Sequence, residues 1–224
     1  MSCALPTGAP QPSRIQFGPS IRIDRARGEV TIDAQVAARI GWLEQLVCKA
    51  GTREHESLLA VEVAPSMIHA ALLAAGYEPG TPGSWVESSL GKDGEVLLEL
   101  KPPRGDRVDL FVRFQRDGMA VEQPLSEWVR GESVSSETLL FPSDQFVFAG
   151  SLVRPNPKSL GPGEHFVADY TGSIVGLVTF GDELIAFESV IPDRVEFAEA
   201  LWEAWTDRIP PEGTPVELII RRRE

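Results

Sequence analysis

Residues 107–115 carry Val108, Leu110, Val112 and Phe114 at every second position. A period of two puts all four on one face of a pleated strand, whereas a helix turning every 3.6 residues scatters them around its circumference. Residues 95–101 alternate in the same way, and the interval 102–106 between the two runs holds Pro102, Pro103 and Gly105. The pair therefore reads as a hairpin, and the chain must supply a sheet with one buried face.

Further strands are expected at 21–24 and 29–32, as a hairpin around 25–28, and at 58–63, 145–153, 164–168, 173–180 and 216–221. Residues 40–47 read as extended. The 173–180 run is apolar on both faces, which suits a central strand. Pro65 opens a helix that ends at Gly76, since a proline in the first turn removes an N–H that has no helical partner there. A second helix is expected over 195–206, with Ala198, Leu201, Trp202 and Trp205 along one stripe facing the core. A single helical turn fits 125–129, and 131–138 reads as loop. These elements predict an α+β fold over residues 20–224, with mixed, largely antiparallel sheets and two main helices. Glu56-Ser57, Pro65, Ala71-Leu72 and Gly80-Thr81-Pro82 are echoed by Glu188-Ser189, Pro192, Ala200-Leu201 and Gly213-Thr214-Pro215. An internal duplication with halves near 20–130 and 140–224 is the corresponding expectation.

The charge balance narrows the partners. Against 33 acidic side chains there are 21 Lys and Arg, a formal net charge of -12, which opposes binding to a phosphate backbone. No nucleic-acid partner is expected, and Arg221-Arg222-Arg223 reads as a solvated end. No apolar run approaches the roughly 18 residues that a membrane helix needs. Residues 1–19 have the composition of a flexible tether, and Cys3 followed by Ala4-Leu5-Pro6-Thr7-Gly8 resembles the start of a mature lipoprotein. Cys3 is thus a candidate lipid anchor and the cell envelope or periplasm the expected compartment, with the cytoplasm as the alternative. Cys3 and Cys48 are expected to be unpaired thiols.

The densest chemistry lies in residues 48–57. Cys48, Arg53, Glu54, His55, Glu56 and Ser57 directly precede an apolar strand. Strand alternation would place Arg53, His55 and Ser57 on one side, where a guanidinium beside an imidazole suits an anionic ligand. Arg53, Glu54, His55 and, from the following helix, His69 are the candidate ligand-binding residues. Cys48 and His55 are the candidate catalytic pair for hydrolytic or thiol chemistry, although no third group to orient the imidazole is evident. Cys48 with His55 or His69 is the candidate metal set, in the absence of any CxxC or HExxH spacing. The structural alternative is an ion-paired strand end in which Arg53 and Lys49 balance the glutamates. His165 reads as an ordinary strand-edge residue. The residues identify no cofactor, and the partner is an unspecified small molecule or protein.

The chain resembles the YdjY-domain proteins, an uncharacterised bacterial family. The resemblance is carried by residues 47–58, by Ile68-His69-Ala70-Ala71-Leu72-Leu73-Ala74-Ala75-Gly76, by Phe148-Ala149-Gly150-Ser151 and by Thr206-Asp207-Arg208-Ile209-Pro210-Pro211. It covers residue 47 to the end and implies an exported protein, but no reaction, cofactor or catalytic residue. The expectation is a cell-envelope binding or accessory module with its site at 48–57.

Overall fold

The computed structural model describes residues 13–90, 96–131, 139–142, 145–198 and 201–223. Its architecture overturns the α+β expectation. The chain is mainly β, with 47% strand against 14% helix, and its strands close into an eight-stranded barrel. In chain order the barrel strands are β1 (Glu29–Val36), β2 (Gln45–Lys49), β3 (Ser57–Val61), β4 (Arg107–Arg116), β5 (Phe146–Val147), β6 (Ser173–Gly176), β7 (Ile185–Phe187) and β8 (Pro215–Arg222). Around the ring they run β1, β8, β4, β5, β7, β6, β2, β3 and back to β1.

Closure depends on the length of β1. Its first half pairs with the outer strand Ile21–Asp24, and its last residues reach β3 through Gln35 opposite Ala60 and Val36 opposite Leu59. All eight strands then have neighbours on both sides, which removes the exposed ladder edges of an open sheet. The interior follows the alternation: Val108, Leu110, Val112 and Phe114 of β4 are buried, as are Val216, Leu218 and Ile220 of the neighbouring β8. Trp128 sits in the same core, edge-on to Phe114 with ring centroids 5.4 Å apart.

The hairpin expected between 95–101 and 107–115 is not formed, although both strands exist. Val96–Lys101 pairs instead with Ser84–Leu90, and β4 pairs with β8 and with Met119–Pro124. The interval between them is a crossing rather than a tight turn. Arg104–Gly105 pairs with Pro79–Thr81, so closely that a Cβ on Gly80 would lie 1.9 Å from the Arg104 carbonyl oxygen and one on Gly105 2.0 Å from that of Phe148. The hairpin of Ile21–Asp24 with β1 forms as expected, with Asp24 opposite Glu29.

Helix α1 (Pro65–Ala74) begins at the predicted proline. It ends in a Schellman motif, in which Gly76 N–H bonds to the Leu73 carbonyl at 2.9 Å and Tyr77 N–H to that of Leu72 at 3.0 Å. The motif requires the left-handed φ of +93° at Gly76. The second helix is not where the tryptophan stripe placed it. Trp202–Ala204 is a strand antiparallel to Val129–Gly131, burying Trp202 and Ala204 at alternate positions. Helix α2 is the short Val167–Thr171, and its Asp169 Oδ1 accepts the Ser66 N–H at the start of α1 at 2.7 Å. The proposed duplication fails with it. Glu56-Ser57 leads into β3 and α1, whereas Glu188-Ser189 follows β7 and leads to no helix among the described residues.

The strands expected over 145–153 and 173–180 shorten to Phe146–Val147 and Ser173–Gly176, and that over 164–168 to Glu164–Phe166 before α2. Leu125–Trp128 forms the expected single turn. Of the tether segment, residues 1–12 lie outside the described residues, as does most of the 131–138 loop, while Arg14–Gln16 is already a strand on Ile21–Asp24.

Candidate functional site

The sequence-predicted segment leaves the barrel between β2 and β3 as a 3-10 turn at Glu54–Glu56. The turn breaks strand alternation, so Arg53, His55 and Ser57 do not share a face. Cys48, on β2, is fully buried, and burial raises the pKa of its thiol, an effect opposed by hydrogen bonds from Ser57, Arg53 and Thr52. The His55 side chain is 79% exposed, with Nε2 3.6 Å from Glu56 Oε2. The thiol and this imidazole therefore share no solvent-accessible site. Glu54 Oε1 accepts the Gly51 N–H at 2.8 Å and braces the turn. Arg53 Nη1 reaches Glu56 Oε1 at 3.2 Å and Glu44 Oε2 at 3.7 Å. Burial, then the facing Glu56 carboxylate, raises the pKa of Glu44.

His69 stands elsewhere, half-buried on α1 with its ring edge-on to Phe148 at 5.1 Å and to Phe166 at 5.3 Å. Burial lowers its pKa against an opposing hydrogen bond to the Gly150 backbone. Cys48, His55 and His69 do not converge, and among the described residues no group of three or more His, Cys, Asp or Glu side chains is placed to hold a metal ion.

What the structure does assemble lies around Phe180. Leu152, Arg154, Pro155, Pro157, His165, Val167, Tyr170, Phe180, Gly181 and Asp182 line a cleft of about 500 Å³. Three pieces of chain build it: the strand Val153–Pro155 with its partner Glu164–Phe166, helix α2, and the turn from Phe180 to Asp182. The turn is clamped from below by Ser151. Ser151 Oγ donates to the Asp182 carbonyl at 2.6 Å and accepts the Ala168 N–H of α2 at 3.2 Å, and Ser151 N–H bonds to the Glu183 carbonyl at 3.1 Å. To do this Ser151 adopts a φ of +58°, a conformation that costs a residue with a Cβ about 1–2 kcal/mol.

The acids of the turn are unusual. Glu183 is 1% exposed, and burial pushes its pKa up to about 7 even though its carboxylate accepts N–H groups from Phe180 and Gly181. Asp182 is 8% exposed and its Oδ1 has no hydrogen-bond partner; His165 Nδ1, in the same cleft wall, is likewise buried and unpartnered. A buried polar atom left without a partner costs roughly 1–3 kcal/mol, so two in the residues of one cleft call for an explanation, such as a water or a bound group.

A second cleft, of about 330 Å³ along Arg14, Arg22, Asp24 and Arg113, differs in kind. Three of its four arginines are already paired, Arg14 with Asp24 at 3.1 Å, Arg22 with Asp33 at 2.8 Å and Arg113 with Glu122 at 2.7 Å, and the fourth, Arg27, is exposed to solvent. Residues 152–157, 165–170 and 180–182 escaped sequence reasoning because each is ordinary alone. The only sequence signal was Phe148-Ala149-Gly150-Ser151, which ends in the clamp.

No curated protein and no solved structure matches the chain. The sequence model of the YdjY domain matches residues 21–221, from the strand flanking β1 into β8, and so takes in both the polar turn and the cleft. The chain belongs to the YdjY domain family.

Proposed function

We propose that the protein is a cell-envelope binding or accessory module whose small-molecule site is the Asp182 cleft, with the polar turn at 53–56 supporting one wall. The observation that carries the reading is that Asp182 and His165, each with a buried side-chain atom that lacks a partner, both line one concave, partly aromatic space. Binding sites are concave, mostly apolar and furnished with few polar groups, and this cleft has that make-up. Arg53 joins the turn to the cleft by stacking on Phe180.

Screening a library of small fragments against the isotope-labelled protein by amide chemical shifts tests the reading. Hits should move the signals of Gly181, Asp182 and Val167 together. A library that leaves these amides unmoved while shifting others removes the cleft as the site. The envelope location is supported by the tether-like composition after Cys3. A Cys3→Ala variant expressed in the native host should leave the membrane fraction, and unchanged partitioning would remove the anchor.

A further inference from the structure

We propose that the ligand of this cleft carries an ammonium group on an apolar body, with Asp182 as the anion that receives it. The inference rests on the cleft being a binding site and adds the chemical class of what binds.

Asp182 is more than nine-tenths buried and offers an oxygen without a partner. A neutral donor would satisfy that oxygen, but a charged donor makes a hydrogen bond about twice as strong and offsets the field of a carboxylate removed from water. The Glu183 carboxyl lies directly behind, and the Asp182 charge is among the influences that raise its pKa. A cation in the cleft relieves both acids. The remaining walls suit the same guest. Tyr170 is 74% exposed and forms an edge contact with His165, ring centroids 6.2 Å apart. Phe180 already holds one cation, Arg53, 4.0 Å from its ring centroid. Aromatic faces attract ammonium groups, and Pro155, Pro157, Leu152 and Val167 supply apolar wall for the ligand body.

Access requires no backbone movement. The terminal torsion of an aspartate is broad and two-fold, so the Asp182 carboxylate can reorient about its own side-chain bond. The Asp182 backbone stays fixed by Ser151 Oγ. Arg154 is the opposing cation in the cleft wall, but it is exposed and its field is screened by solvent, whereas that of Asp182 is not.

Three probes with the same ring and different heads separate these ideas: phenethylamine, 2-phenylethanol and 3-phenylpropanoate, each titrated into the full chain and followed by amide shifts. The amine should move Val167, Gly181 and Asp182 and bind at least about tenfold tighter than the alcohol. Asp182→Asn should bring the amine down to the affinity of the alcohol without disturbing signals elsewhere. Tyr170→Ala, an exposed change that tests the site if the first variant misfolds, should weaken the amine more than the alcohol. Equal or tighter binding of the alcohol or the acid, or an equal drop for amine and alcohol in Tyr170→Ala, overturns the ammonium assignment while leaving the cleft a binding site. If all three probes leave the cleft amides still and fragments of other chemistry do so too, the binding reading itself fails and takes this proposal with it.

Discussion

The Arg53 guanidinium lies over the Phe180 ring, its Cζ 4.0 Å from the centroid, and this one contact ties the polar turn to the cleft. The same guanidinium stands between Glu44 and Glu56, two carboxylates that repel when both are ionised. Arg53→Ala removes a cation–π contact worth about 0.5–1 kcal/mol and the compensation of that repulsion, for a loss of about 1–2 kcal/mol at pH 7 by urea unfolding. Because the pKa of Glu44 is already raised, removing the cation raises it further. The native state then holds its proton more firmly than the unfolded chain, so the cost grows as pH rises above the ordinary carboxylate range. A deficit that shrinks with rising pH would contradict the electrostatic account of this turn.

Cys48 and His55 lead to opposite expectations from ordinary residues of their kind. The thiol is sealed in the barrel wall with a raised pKa, so disulfide-exchange reagents should label it only at the rate of unfolding. Fast labelling of Cys48 in the folded Cys3→Ala chain would show a thiol more accessible than the structure has it. His55→Ala, at a side chain 79% exposed with one long contact to Glu56, should change stability by less than about 0.5 kcal/mol.

Why the polar turn was legible and the cleft was not follows from what a linear pattern encodes. Alternation at Val108, Leu110, Val112 and Phe114 identifies a strand and its buried face, but not its partner. One partner of β4, the neighbouring Met119–Pro124, is local, but another is β8, more than a hundred residues later, with Leu110 opposite Ile220. Only the pairings of Gln35 and Val36 with β3 turn a sheet into a ring. The 195–206 segment satisfied two periods at once: Ala198, Leu201, Trp202 and Trp205 suit a helix, Trp202 and Ala204 a strand, and pairing with Val129–Gly131 decided for the strand. In contrast α1 was bounded correctly because Pro65 and Gly76 act through local sterics alone. The density of charge at 53–56 was likewise visible, but charge density does not distinguish a ligand site from a set of ion pairs. The cleft brings together Arg154, Tyr170 and Asp182, none of which neighbours another in sequence.

Ser151 offers a test in which two substitutions of similar size diverge. Ser151→Ala keeps the strained φ of +58° and leaves the Ala168 N–H and the Asp182 carbonyl without their hydroxyl, at a cost of about 1–3 kcal/mol. Ser151→Gly loses the same hydroxyl but relieves the left-handed backbone. Thermal unfolding should therefore rank wild type above Ser151→Gly and Ser151→Gly above Ser151→Ala. The reverse order of the two variants would mean that the backbone here is not strained.

Glu183 gives the sharpest pH dependence. Its folded pKa of about 7 lies above the unfolded value of 4.5 because burial disfavours the carboxylate. For an acid raised in this way the native state binds more protons than the unfolded state between pH 4.5 and 7. Stability from this group is therefore complete below pH 4.5, declines through that window and is level above it, the total being up to about 3 kcal/mol. Glu183→Gln keeps an oxygen to accept the Phe180 and Gly181 N–H groups and cannot ionise, so it should abolish the decline and leave the variant more stable than wild type at pH 8. Glu183→Ala should also abolish the decline but leave the chain less stable than Glu183→Gln at every pH, since it empties the space over Gly176 and strips both N–H groups of their acceptor. A Glu183→Gln chain less stable than wild type at pH 8 would mean that the fold relies on the anion. The turn that positions Asp182 would then be built around a negative charge rather than burdened by one.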